Sequence, residues 1–144
     1  MKFRSMKSSD IKKVFSVGKS EFGKVSEYSW DWSISKIRQF LRPSFGVAIV
    51  CSEGKEILGF ALAEKKYSSQ KPAVAWLNYV FVKSGARHRH IGSKLVEEII
   101  LRLKKGGKKD LITDVYANNK SSLKFFKSNN FVISEKWFIL SRKI

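Results

Sequence analysis

The sequence holds a single cysteine, Cys51, among its 144 residues, so no disulfide can form within the chain. That cysteine and the two histidines show no zinc-ligand spacing, so no structural metal and a reducing compartment are expected. Nowhere do about 18 uncharged apolar residues follow one another, which removes the signature of a membrane-spanning helix. The opening MKFRSMKSSD has no apolar stretch of the kind a signal peptide needs. A soluble, cytoplasmic protein without a membrane partner is the expectation. Repeats, low-complexity tracts and linkers are missing too, which leaves one domain over residues 1–144.

Acidic residues are scarce: 12 Asp and Glu stand against 29 Lys and Arg, a net charge of +17. Such a surface attracts polyanions, whether nucleic acid, anionic membrane or a phosphorylated cofactor, without choosing among them. What is plentiful is apolar material, 43% of the residues with 13% aromatic, which places the chain among globular rather than disordered proteins. At this length a chain buries roughly two thirds of its unfolded surface in one core. Cys51 ends the apolar run that starts at Val47 and reads as a small buried hydrophobe rather than a nucleophile.

The apolar spacing orders the elements. Lys2 to Met6 suits a short strand, and Ser8, Ser9 and Asp10 offer capping oxygens before Ile11, Val14 and Phe15 at helical spacing. Glu21 to Trp32 reads as a loop. Ile34, Ile37, Phe40 and Leu41 mark a second helix that Pro43 would stop. Gly46 to Ser52 and Glu56 to Lys66 form a hairpin around Gly54, whose missing Cβ permits the positive φ of a tight turn. A third long strand covers Ala73 to Val82. Leu95, Val96, Ile99, Ile100 and Leu103 then stripe the clearest helix, which ends at Gly106-Gly107. A strand over Leu111 to Tyr116, a helix over Ser121 to Lys127 and a closing strand over Phe131 to Arg142 complete the chain. The order β-α-α-β-β-β-α-β-α-β predicts an α/β (α+β) fold with a mixed, twisted central sheet and flanking helices.

Between the third long strand and the clearest helix lies Ser84-Gly85-Ala86-Arg87-His88-Arg89-His90-Ile91-Gly92-Ser93-Lys94. The first N–H groups of a helix lack intrahelical acceptors and sit at the positive end of its dipole, so this turn is suited to phosphate oxygens. Arg87, His88, Arg89 and Lys94 add charge beside them, and Gly92 omits a Cβ where a pyrophosphate would approach.

The run Arg87-x-x-His90-x-Gly92 resembles the acyl-CoA pyrophosphate motif of the GNAT acetyltransferases, Gln/Arg-x-x-Gly-x-Gly/Ala, with His90 in the place of its first glycine. A helix-start residue that keeps a negative φ would preserve the backbone site despite that change. The segment from Asp114 to Phe131 is similar to the family's Val-x-x-x-Asn-x-x-Ala-x-x-Phe-Tyr-x-x-x-Gly-Phe, with Asn119, Ser122, Phe125 and Phe131 in register. In element order the resemblance covers nearly the whole chain.

That resemblance implies an acyl-CoA-dependent N-acetyltransferase with acetyl-CoA as donor and no metal. Val80, Phe81 and Val82 would offer backbone groups to the pantetheine arm, as an added strand does. The amides of His88, Arg89, His90, Ile91, Gly92 and Ser93, beside Arg87, would hold the pyrophosphate, and Asn119 would lie near the thioester end. Asn119 also reads as a helix cap. Asp114 is the first candidate for base, on the strand where ribosomal-protein N-terminal acetyltransferases carry a glutamate, and Glu64 is the reserve. The family's tyrosine acid is Phe126 here, which donates no proton, so Tyr116 or water would protonate the leaving thiolate. Tyr28, Trp30, Trp32, Asn78 and Tyr79 are candidates for acceptor contact, with core packing the competing reading of the tryptophans. The charge favours a protein or peptide acceptor, through an α-amine or a lysine, over cationic small molecules. Two alternatives stand beside it: a non-catalytic acyl-CoA-binding regulatory module, and a nucleic-acid-associated basic protein. Oligomeric state is left open.

Overall fold

The computed structural model describes residues 1–23 and 31–144, as two compact units, Met1–Asp114 and Val115–Ile144. Tyr28 and Trp30 lie outside the described residues. The first unit is built on a five-stranded sheet in the order β1-β2-β3-β4-β5. Its centre is the hairpin of β2 (Gly46–Glu53) and β3 (Glu56–Glu64), whose turn places Gly54 at φ +58°. Both strands are buried almost end to end, which is why they read as apolar runs rather than as an alternation. β1 (Lys2–Ser5) flanks β2, and β4 (Val74–Val82) pairs antiparallel with β3. β5 (Asp110–Ile112) lies parallel to β4, because the chain returns through a crossover helix, α3 (Ile91–Lys105).

The residues that alternate along β2 and β3 serve different layers. Ala48, Val50, Phe60 and Leu62 face the core under α1 (Ile11–Phe22) and α2 (Ile34–Gln39). Trp32 closes this core: its ring stacks on Phe60 at 5.5 Å, and its indole N–H donates to the Phe15 carbonyl at 3.0 Å. Core packing is therefore the role of Trp32. α1 passes close over that ring, since a methyl on Gly18 would come within 2.5 Å of it. Cys51 is fully buried, and burial pushes its thiol pKa up.

α3 packs on the sheet's other layer. Gly59, Ala61 and Ala63 alternate with Phe60 and Leu62 and are small, so the helix can approach β3 closely. A methyl on Gly59 would sit 2.7 Å from the Phe81 carbonyl oxygen and 3.4 Å from Ile91. Ile91, Leu95, Val96, Ile99 and Leu103 are buried there, each contributing about 1.5–3 kcal/mol of hydrophobic burial. At the other end of the unit, Asp10 accepts from both Arg4 terminal nitrogens, at 2.7 and 3.0 Å, and from the Lys7 N–H at 2.8 Å. The expected capping oxygen thus faces back toward β1, and the Arg4 guanidinium holds the Asp10 carboxyl below its ordinary range.

The second unit contains α4 (Lys120–Ser128), capped by Asn119, whose Oδ1 accepts from the Ser122 N–H at 3.2 Å. Phe126 packs between Phe125 and Phe131, with ring centroids 5.1 Å apart in each pair. The closing strand expected over Phe131 to Arg142 is not formed, and residues 131–144 carry no regular element. A strand exists by pairing its N–H and C=O groups, and this unit holds no second strand to pair with. Val132, Phe138 and Leu140 are exposed accordingly. The α/β class with its mixed sheet stands, one strand short of the expected order.

Candidate functional site

β4 is longer than its parallel partner. β5 meets it only at Val74, Ala75 and Trp76, so from Leu77 to Val82 the edge of β4 on that side has no strand neighbour among the described residues. Beyond β5, Thr113 turns its hydroxyl to donate to the Leu77 carbonyl at 2.9 Å, which takes up one more of those groups. The expected strand over Leu111 to Tyr116 therefore stops at Ile112. Asp114 follows it in irregular, exposed chain rather than on a strand. The opening leaves Val80, Phe81 and Val82, all half-buried, with a free edge where an extended ligand can be added as a strand is.

A bulge marks where this edge begins. Leu62 faces Tyr79 and Ala63 faces Leu77, so Asn78 is the extra residue on β4. Its side chain fills the break in the ladder: Oδ1 accepts from the Glu64 N–H at 3.0 Å, and Nδ2 donates to Glu64 Oε1 at 2.9 Å. Lys36 Nζ approaches the same carboxylate oxygen at 3.8 Å. Glu64 is thus fixed at the end of β3, half-buried and oriented by three contacts. Tyr79, the next residue of β4, is 6% exposed and its pKa is pushed up to about 12, chiefly by burial and further by the charges of Asp31, Glu64 and Asp114. The two expected base candidates, Glu64 and Asp114, thus both act electrostatically on Tyr79. Asp31, not foreseen from the sequence, joins them. No run or spacing signals it, because only folding brings it to β4.

At its far end β4 leads into the basic turn. A turn of 3₁₀ helix over Ser84–Ala86 buries Ala86, Arg87 is extended, and α3 begins at Ile91. The first intrahelical bond runs from the Lys94 N–H to the His90 carbonyl at 3.1 Å, so the N–H groups of Ile91, Gly92 and Ser93 have no helical acceptor to reach. Arg87 Nε reaches back to the Val82 carbonyl at 3.4 Å, and Arg89 pairs with Glu53 at the end of β2 at 3.2 Å. The backbone departs from expectation at His90: it is left-handed, with φ +58°, and His88 is left-handed as well, with φ +62°. Histidine is among the residues that tolerate the left-handed region. The turn thus keeps a glycine-type backbone with two imidazole side chains attached.

Tyr116, Asn119 and Phe126 belong to the second unit. There Tyr116 is exposed, Asn119 caps α4, and Phe126 is half-buried among phenylalanines. Among the described residues no group of His, Cys, Asp and Glu is arranged to hold a metal ion, and no helix is long and apolar enough to cross a membrane.

Comparison with known proteins places these features in a wider set. The model of the Acetyltransferase (GNAT) family matches residues 13–131. No curated protein matches the sequence. Among solved structures, the chain resembles the aminoglycoside N-acetyltransferase AAC(6')-Iy in complex with CoA, with a TM-score of 0.82 and 16% identity over 99% of this chain and 95% of that one. An aminoglycoside acetyltransferase from an uncultured soil metagenomic sample, in complex with sisomicin, matches with a TM-score of 0.76, 16% identity and coverage of 99% and 95%. A transcriptional regulator from Bacillus halodurans C-125 matches with a TM-score of 0.78, 18% identity and coverage of 98% and 99%. At these identities the likeness is one of fold.

Proposed function

Since the chain belongs to the GNAT acetyltransferase family, we propose that it transfers the acetyl group of acetyl-CoA to a primary amine carried by a protein or peptide. The observation that carries this reading is the free edge of β4 running directly into the left-handed turn and the open N-terminus of α3. In that reading the pantetheine arm adds to Val80, Phe81 and Val82, and the pyrophosphate takes the N–H groups from His88 to Ser93, with Arg87 beside them. The CoA complex of AAC(6')-Iy, alike in fold, is consistent with this choice of donor.

The reaction needs a neutral amine. Its nitrogen attacks the thioester carbonyl, the C–S bond breaks, and the amine proton leaves for a base while the thiolate gains one. Glu64 is held by Asn78 and Lys36, whereas Asp114 is exposed and free to act through water, so either can receive the proton. Phe126 donates nothing, which leaves the thiolate, near its ordinary pKa of about 8.5, to depart with help from Tyr116 or water.

A second acceptor class is favoured by a specific observation. Asp31, Glu64 and Asp114 each add to the upward push on the Tyr79 pKa in a chain of net charge +17, and Lys36 offsets Glu64, which leaves Asp31 and Asp114 to favour a cation there. A small polyamine or amino sugar suits such a region, and two of the fold relatives are aminoglycoside acetyltransferases. The two readings separate in one assay: CoA release with acidic N-terminal peptides, lysine peptides, polyamines and aminoglycosides. Highest kcat/KM on a peptide supports the first reading, and highest kcat/KM on a polycation replaces it with the second.

A further inference from the structure

Away from the edge of β4, the basic residues do not spread evenly. Lys12 and Lys13 from α1, Lys55 from the β2–β3 turn and Lys83 just after β4 converge on an open groove of about 580 Å³, whose lining also holds Ser16, Val17, Ile57 and one carboxylate, Glu56. Three elements far apart in sequence contribute, so the cluster is a product of folding and not of a basic run. Among the described residues, Lys83 pairs with Glu56, while Lys12, Lys13 and Lys55 have no carboxylate in ion-pair contact. Lys13 instead donates to the Lys55 carbonyl at 2.9 Å, which draws the two lysines together. Like charges held side by side repel one another, and an external polyanion relieves that repulsion.

We infer that this groove is a landing surface for the phosphate backbone of a nucleic acid, separate from acetyl transfer. Lysines are point-charge phosphate ligands, and the groove has no aromatic ring for a base to stack on and no arginine fork to read a base edge. Recognition is therefore of the backbone and independent of sequence. The remaining charge of the chain acts in the same direction, since each phosphate neutralised releases counterions. An acidic peptide with carboxylates at only some of its positions offers a lower linear charge density and gains less from that release.

The test is fluorescence anisotropy with a labelled random-sequence RNA of about 20 nucleotides, titrated across salt concentrations, on the full chain. The variant Lys12→Gln/Lys13→Gln/Lys55→Gln is compared with Lys104→Gln/Lys105→Gln/Lys109→Gln, which removes the same charge from exposed positions at and just beyond the end of α3. Loss of three phosphate contacts should lower the slope of log K against log salt by about 2 and weaken binding roughly a hundredfold at 0.1 M salt. The distal variant should change affinity by less than about threefold. An unaltered thermal shift with acetyl-CoA in both variants establishes that each is folded. Equal weakening by the two variants overturns the inference. So does absent or salt-insensitive RNA binding by the parent chain, or binding of polyglutamate in preference to RNA.

Discussion

Replacing His90 and His88 by glycine should stabilise the protein, and replacing them by alanine should not. Both residues are left-handed, at φ +58° and +62°. A side chain in that region costs about 1–2 kcal/mol for an ordinary L residue, somewhat less for histidine. Glycine removes this strain but loses about 0.5–1 kcal/mol through the greater freedom of its unfolded chain. The net gain is therefore about 0.5 kcal/mol at each position, or roughly 1 kcal/mol for His88→Gly/His90→Gly. In a domain of this size that raises Tm by about 3–4 °C. Alanine keeps the Cβ and gives up histidine's tolerance of the conformation, so His90→Ala should lower Tm. Thermal unfolding of the parent and the single and double variants, at one pH and salt concentration, gives the order Gly above His above Ala. Alanine equal to glycine, or a glycine variant less stable than the parent, would refute the strain argument. The same double variant opens the turn to phosphate, and acetyl-CoA should bind it at least as tightly as the parent.

Gly59→Ala places a methyl 2.7 Å from the Phe81 carbonyl and should destabilise by about 1–3 kcal/mol, read by denaturant unfolding. Asp10→Asn breaks the paired hydrogen bonds from Arg4 and should cost about 1–3 kcal/mol at pH 7. Because the folded carboxyl is depressed, that advantage is present above its ordinary pKa of about 4 and should vanish as pH falls through its folded value. Tyr79 has the opposite sign. Its pKa is raised to about 12, so its contribution is complete below about 10 and is lost between 10 and 12, and Tyr79→Phe should flatten alkaline unfolding over that window. Phe126→Tyr supplies a hydroxyl where the family has its acid and should raise kcat by about tenfold or more, with KM for acetyl-CoA unchanged.

Much of this architecture is legible in the sequence because period and punctuation agree. The α3 stripe, its Gly106-Gly107 stop and the Gly54 turn depend on local geometry alone, and each lies where the pattern places it. The basic turn is readable for the same reason, since a strand, a charged loop and a helix start are consecutive in the chain. Features that rest on distant partners are not. Nothing near Asp31 announces that it acts with Glu64 and Asp114 on Tyr79, and nothing near Asn78 announces the bulge it fills. Phe131 to Arg142 shows the converse: its apolar, strand-forming residues are real, but a strand needs a neighbour that pattern alone does not supply. The left-handed backbone at His90 is likewise invisible in the sequence, because histidine is compatible with either sign of φ.

The most direct test of the central claim is thermal unfolding with acetyl-CoA, set against ATP and inorganic pyrophosphate at matched ionic strength. At about a hundred times its dissociation constant, acetyl-CoA should add roughly 2.7 kcal/mol of stability, a rise of several degrees. ATP and pyrophosphate should fall well short of it, because the free edge of β4 distinguishes a ligand with a pantetheine arm from one with phosphates alone. Equal shifts from all three ligands would contradict the account and reduce the turn before α3 to a general anion site.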